Sequence, residues 1–92
     1  MTTVQPFRTM TYGGASLNIY HAGVGEGLPR HEHLFSHATM CHAGSIKVSN
    51  ERRSIVMTKE TQPVNLAANE WHEIEALEDG TVFVNVFSVD KY

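Results

Sequence analysis

The chain has 92 residues, a formal charge of −3 with its histidines neutral, and a single cysteine, Cys41. That balance leaves no basic footprint for nucleic acid, no apolar run nears the roughly 20 residues of a spanning helix, and the N-terminus lacks a signal-peptide pattern. One cysteine permits no intramolecular disulfide, so the expectation is one domain, 1–92, in a reducing cytoplasm.

Taken in order, residues 7–12 alternate weakly and stop at Gly13-Gly14. Residues 15–22 read as a strand with Leu17 and Ile19 on one face and Asn18 and Tyr20 on the other. His21 shares parity with Leu17 and Ile19, which would turn it inward, although a histidine at a strand end is more often structural. Gly23, Gly25, Gly27 and Pro29 then break regular structure and deliver the chain to His31. Beyond the histidine-rich stretch come short strands over 46–49 and 53–59, and one over 62–66 around Pro63, which suits an edge. Asn69-Glu70 reads as a tight turn, since Asn tolerates the left-handed region. Residues 71–76 place His72, Ile74 and Ala76 opposite Trp71, Glu73 and Glu75; after a turn at Glu78-Asp79-Gly80, residues 81–89 set Val82, Val84 and Val86 against Phe83, Asn85 and Phe87. Eight or nine short strands without a helical period predict an all-β sandwich or barrel, and closure of a small barrel would remove exposed edges.

The stretch from Gly25 to Gly44 carries His31, His33, His37 and His42. On a strand, His31 and His33 leave the same face, and His37, Thr39 and Cys41 share a face further on. Two adjacent imidazoles, with a third returned by a short turn, can converge on one metal ion. Neutral imidazole serves zinc, copper, iron and nickel. A lone strand histidine is usually a hydrogen-bonded structural residue; three within seven positions on one face would be costly to bury without a partner.

These residues resemble the first motif of the cupin superfamily, G-x5-H-x-H-x3-E-x6-G, with every spacing kept across Gly25, His31, His33, His37 and Gly44. His37 stands where the family usually has glutamate. The second motif, G-x5-P-x-G-x2-H-x3-N, is met at His72, with Thr61, Ala67, Asn69 and Ala76 at its other positions. The resemblance implies a jelly-roll barrel over roughly 15–89. It also implies a divalent metal held by His31, His33 and His72, with His37 in the place of the fourth ligand.

Four neutral histidines would leave a divalent site at +2, where three with a glutamate leave +1. The more positive site is the stronger Lewis acid and favours anionic ligands. Four nitrogens close a tetrahedral zinc site, but leave two open positions around octahedral iron, nickel or manganese. His37 has a second reading, as a hydrogen-bonding neighbour of a ligand. Thr39, Cys41, Asn85 and Tyr20 are candidate pocket residues, Cys41 reading equally as a small buried apolar side chain. His42 and Trp71 point away from the site, and Glu70, Glu73, Glu75, Glu78 and Asp79 form a solvated rim. No inward carboxylate offers a general base, leaving His21, Tyr20 or a metal-bound hydroxide. The expected function is a mononuclear metal-dependent enzyme, an oxygenase, isomerase or lyase, acting on a small anionic or chelating molecule. The alternatives are a metal-loaded binding module and a cupin whose metal only staples the fold. A domain this small also predicts a homodimer.

Overall fold

The computed structural model describes residues 1–88 and is all-β. Its strands are β1 (Thr2–Thr3), β2 (Arg8–Tyr12), β3 (Ala15–Ala22), β4 (Glu26–His31), β5 (His37–Ala43), β6 (Ile46–Asn50), β7 (Ser54–Met57), β8 (Val64–Leu66), β9 (His72–Ala76) and β10 (Thr81–Ser88). Val89, the last residue of the strand expected over 81–89, lies outside the described residues. Among the described residues no helix is long and apolar enough to cross a membrane.

The strands form two five-stranded sheets, ordered β1-β4-β9-β6-β7 and β2-β3-β10-β5-β8. Apart from the hairpins β2–β3 and β6–β7, sequence neighbours alternate between the sheets, the crossing pattern of a jelly roll. Among the described residues no ladder joins the two sheets, so the jelly roll is a sandwich rather than a ring closed by pairing. One core cluster draws Ile46, Val48, Met57 and Ile74 from the first sheet and Tyr20, Cys41, Leu66 and Phe83 from the second. Tyr20 lies flat on Phe83, with centroids 4.8 Å apart, and both are buried.

Two expectations are corrected here. Gly23 and Gly25 do break the chain between β3 and β4, but the rest of the Gly/Pro stretch, with Gly27 and Pro29, is strand β4 rather than irregular. A Cβ on Gly27 would collide with the Ile74 carbonyl, so glycine is what lets β4 lie this close to β9. Pro29 falls where the β4–β9 register shifts, between Leu28 and His31, so its missing N–H interrupts no regular ladder. The second correction concerns facing. On β3 it is Ser16, Asn18, Tyr20 and Ala22 that are buried, while Leu17 and Ile19 are half-buried and His21 is exposed, stacked on Phe7 at 4.0 Å. Alternation fixes which residues share a face but not which face is inside; the aromatic rings decide that. On β10 the same logic puts Phe83, Asn85 and Phe87 inward and the valines outward.

Candidate metal centre

The four motif histidines meet because strand ends meet. His31 closes β4 and His72 opens β9, and the antiparallel register sets them directly opposite each other in the first sheet. His37 opens β5 in the second sheet, and His33 sits on the link that carries the chain from one sheet to the other. Asn69, at φ 63°, turns the chain into β9 and donates its N–H to the His33 carbonyl at 2.8 Å. This left-handed residue stands where the second motif has glycine. The turn read from the sequence therefore ties His33 to the approach to His72.

One ring nitrogen each from His31, His33 and His72 lies within 4.8 Å of the others. Ring centroids are 4.4 Å apart for His31–His72, 4.9 Å for His33–His72 and 5.4 Å for His31–His33. His37 joins from the opposite sheet, 5.1 Å from His33 and 5.2 Å from His72 between centroids, its Nε2 3.4 Å from His72 Nε2. His37 and His72 are buried, while His31 and His33 are half-buried.

The second nitrogen of each ring sets its tautomer. Nδ1–H of His31 donates to Pro29 O at 2.7 Å, that of His33 to Phe35 O at 2.7 Å, and that of His72 to Glu70 O at 3.2 Å. A carbonyl can only accept, so the proton of each neutral ring is on Nδ1 and the lone pair on Nε2. His37 is fixed by a buried relay. Thr39 Oγ1 donates to Asn85 Oδ1 at 2.7 Å, which leaves its lone pair to accept from His37 Nδ1–H at 3.2 Å. The three rings of the His31, His33 and His72 cluster thus carry their lone pairs on Nε2, and His37 Nε2 faces His72 Nε2 from the other sheet.

Burial favours the neutral form of His33, His37 and His72. Desolvation pushes the pKa of His37 down to about 4, only partly offset by the Ala38 carbonyl. His72 is likewise pushed to about 4, by burial first and by the charges of His31, His37 and His33 second. His33 is lowered as well, mainly by burial. Neutral rings with paired Nδ1–H groups make His37 Nε2 and His72 Nε2 two facing lone pairs, which repel unless an electrophile lies between them. Their 3.4 Å separation is close to the edge of about 3.3 Å implied by two Zn–N bonds of about 2.05 Å in a tetrahedron. The donor set fits a divalent transition metal.

The expected pocket residues fall in different places. Thr39 and Asn85 bond each other behind His37 and act on the site through it. Tyr20 lines the opening beside His31, together with Thr3, Leu28, Pro29 and Arg30. Cys41 shares the buried face of His37, but its thiol donates to Ala43 O at 3.3 Å, at the far end of β5, and burial raises its pKa. His42 is exposed on the opposite face. Two residues went unread in the sequence. Phe35 stacks on His33 with centroids 4.3 Å apart and planes 7° from parallel, closing one side of the cluster. Arg30 lies 3.9 Å over the Trp71 ring at the opening beside His31. Its signal was available: it is the only lysine or arginine between Arg8 and Lys47.

No protein-family model and no curated protein sequence matches the chain. Solved structures do. A cupin 2 domain-containing protein from Halorhodospira halophila superposes with a TM-score of 0.82 at 17% identity, over 98% of this chain and 67% of that one. KdgF from Halomonas sp. gives 0.78 at 14% identity, over 88% and 76%. A cupin superfamily protein from Desulfitobacterium hafniense gives 0.72 at 11% identity, over 94% and 82%. The fold of this chain is the cupin fold.

Proposed function

We propose that the chain binds one divalent transition metal through Nε2 of His31, His33 and His72, with His37 as a fourth nitrogen donor, and acts on a small anionic or chelating molecule. The observation that carries this is the tautomer pattern: every Nδ1–H is paired, so the Nε2 lone pairs of two buried rings face each other at 3.4 Å. A divalent ion of zinc, iron, nickel or manganese held there would supply Lewis acidity and acidify bound water. The rest falls to the chain's own groups. Phe35 covers His33 and keeps water from that side. Arg30 supplies a cation at the opening, and Trp71 beneath it holds the guanidinium in place. Tyr20 offers a hydroxyl on the same approach.

With no carboxylate among the four donors, the centre keeps its full positive charge, which with Arg30 favours an anion over a neutral molecule. A catalytic role ranks above a purely structural one because His31 borders the opening, so the cluster is reachable from outside. The competing reading is a structural zinc site, favoured by the number of nitrogen donors, since four close a tetrahedron. Elemental analysis of protein purified without added metal separates them. Iron, nickel or manganese near one equivalent, with turnover that differs under air and nitrogen, supports the enzyme. Zinc that small chelating anions cannot approach supports the staple, and no metal in the wild type or its loss unchanged by His72→Ala overturns both.

Two further inferences concern setting. The buried thiol of Cys41 suits a reducing cytoplasm. The chain also pairs as a homodimer. Trp71 lies under Arg30, whereas β2 is exposed along its whole length and carries Met10 and Tyr12, with Phe7 exposed beside it, so β2 is the surface that suits pairing.

A further inference from the structure

A groove of about 600 Å³ lies between the N-terminal segment and the strands β2 and β3. Its lining includes Thr9, Thr11, Ser16 and Asn18 on one side of its chemistry and Val4, Leu28 and Phe87 on the other, and no charged side chain at all. The polar residues are connected. Thr9 Oγ1 donates to Asn18 Oδ1 at 2.8 Å, and Asn18 Nδ2 points at Tyr20 Oη 3.5 Å away. Ser16 and Asn18 are buried polar residues on the inner face of β3, where apolar side chains would have packed more cheaply.

The groove does not end there. Thr3, Tyr20 and Leu28 also border a second opening of about 380 Å³, which runs on to Pro29, Arg30 and His31. The two openings share a wall and differ in charge: Arg30 and His31 line only the second. A row of hydroxyls and amides can hydrogen-bond a hydroxylated molecule in either sense, as donor or acceptor. A carboxylate or ammonium in the uncharged lobe would lose its hydration and find no counter-charge. The apolar residues beside that row suit the carbon skeleton between hydroxyls.

We propose that this groove binds the uncharged, hydroxyl-bearing body of a ligand whose anionic or chelating head lies at Arg30 and His31. This rests on the metal-centre reading for the head alone; the body is held by groups remote from the cluster. Three probes separate the parts: D-gluconate has a carboxylate head and a hydroxylated body, hexanoate has the head alone, and D-sorbitol has the body alone. Each is titrated, by protein NMR, against chelator-treated and zinc-loaded wild type, Asn18→Leu and Thr9→Val.

D-gluconate binds at least tenfold tighter than hexanoate and D-sorbitol to the wild type, with shifts on β2 and β3 as well as at His31. Asn18→Leu lowers gluconate affinity at least tenfold, to the level of hexanoate, and leaves hexanoate and zinc affinity unchanged. Thr9→Val, close in shape to the wild type, weakens gluconate in the same direction and guards against a misfolded Asn18→Leu. Equal affinity for gluconate and hexanoate, or gluconate affinity indifferent to both substitutions, overturns the proposal. Failure of zinc to bind while gluconate keeps its preference and its Asn18 dependence overturns the metal-centre reading alone.

Discussion

Acid should unfold the metal-free protein well before its carboxylates titrate. His37 and His72 have pKa values of about 4 in the folded chain and near 6.5 when unfolded, so between those limits the unfolded state binds more protons. Stability therefore rises with pH across this window and is lost as pH falls from about 6.5 toward 4; the lowering of His33 acts in the same direction. At pH 5 a shift from 6.5 to 4 costs about 2 kcal/mol for each ring taken alone; because charge on His37 is one cause of the His72 shift, the two together cost somewhat less than twice that, about 3–4 kcal/mol. Against a total of about 5–15 kcal/mol for a small domain, that is a large share. With a urea dependence of about 1–1.5 kcal/mol per molar for a chain this size, the midpoint should fall by about 3 M between pH 7.5 and pH 5. The assay is urea unfolding followed by tryptophan fluorescence with chelator present, on the wild type and His72→Gln. The variant should show about half the pH dependence. A wild-type midpoint that does not move between pH 7.5 and pH 5 would mean that these rings are solvated or charged in the folded protein, and the account of their burial would fail.

Gly27→Ala should lower stability by about 1–3 kcal/mol without touching any donor, because the new Cβ collides with the Ile74 carbonyl and pushes β4 from β9; chemical denaturation at pH 7.5 reads it. His37→Glu should retain metal but weaken azide or oxalate roughly tenfold or more, since a carboxylate beside the ion removes about 1–4 kcal/mol of attraction, with exposed His42→Glu as the unchanged control. Sedimentation at micromolar concentration should give twice the chain mass, and Tyr12→Lys on the exposed β2 should return it to a monomer.

The histidine spacing singled out His31, His33 and His37, and the resemblance to the second motif added His72; these residues now lie together, because a motif whose ligands sit at strand ends keeps its meaning whatever the rest of the sheet does. Period-two alternation also fixed that His37 and Thr39 share a face with Cys41, and that His42 does not. It failed where the interior is polar. On β3 the more hydrophobic parity, Leu17 and Ile19, looked like the core side, yet the groove takes Ser16 and Asn18 inside. Asn85, on the aromatic face of β10, is buried as that face requires, and its Oδ1 accepts from Thr39, a pairing between β10 and β5 that only register reveals. The carbonyls of Pro29, Phe35 and Glu70 that orient the rings carry no side-chain signature at all.

Convergence of four Nε2 atoms on one ion is read most directly from the histidine-ring nitrogens themselves. A long-range ¹H–¹⁵N spectrum of metal-free protein at pH 7.5 should show His31, His33, His37 and His72 as Nδ1–H tautomers. One equivalent of zinc should then move the Nε2 resonances of these four rings together, saturating at that equivalent, while His21 and His42 stay where they were. Movement at Nδ1, or gradual drift of His21 and His42 with the rest and no saturation, would contradict a built metal centre.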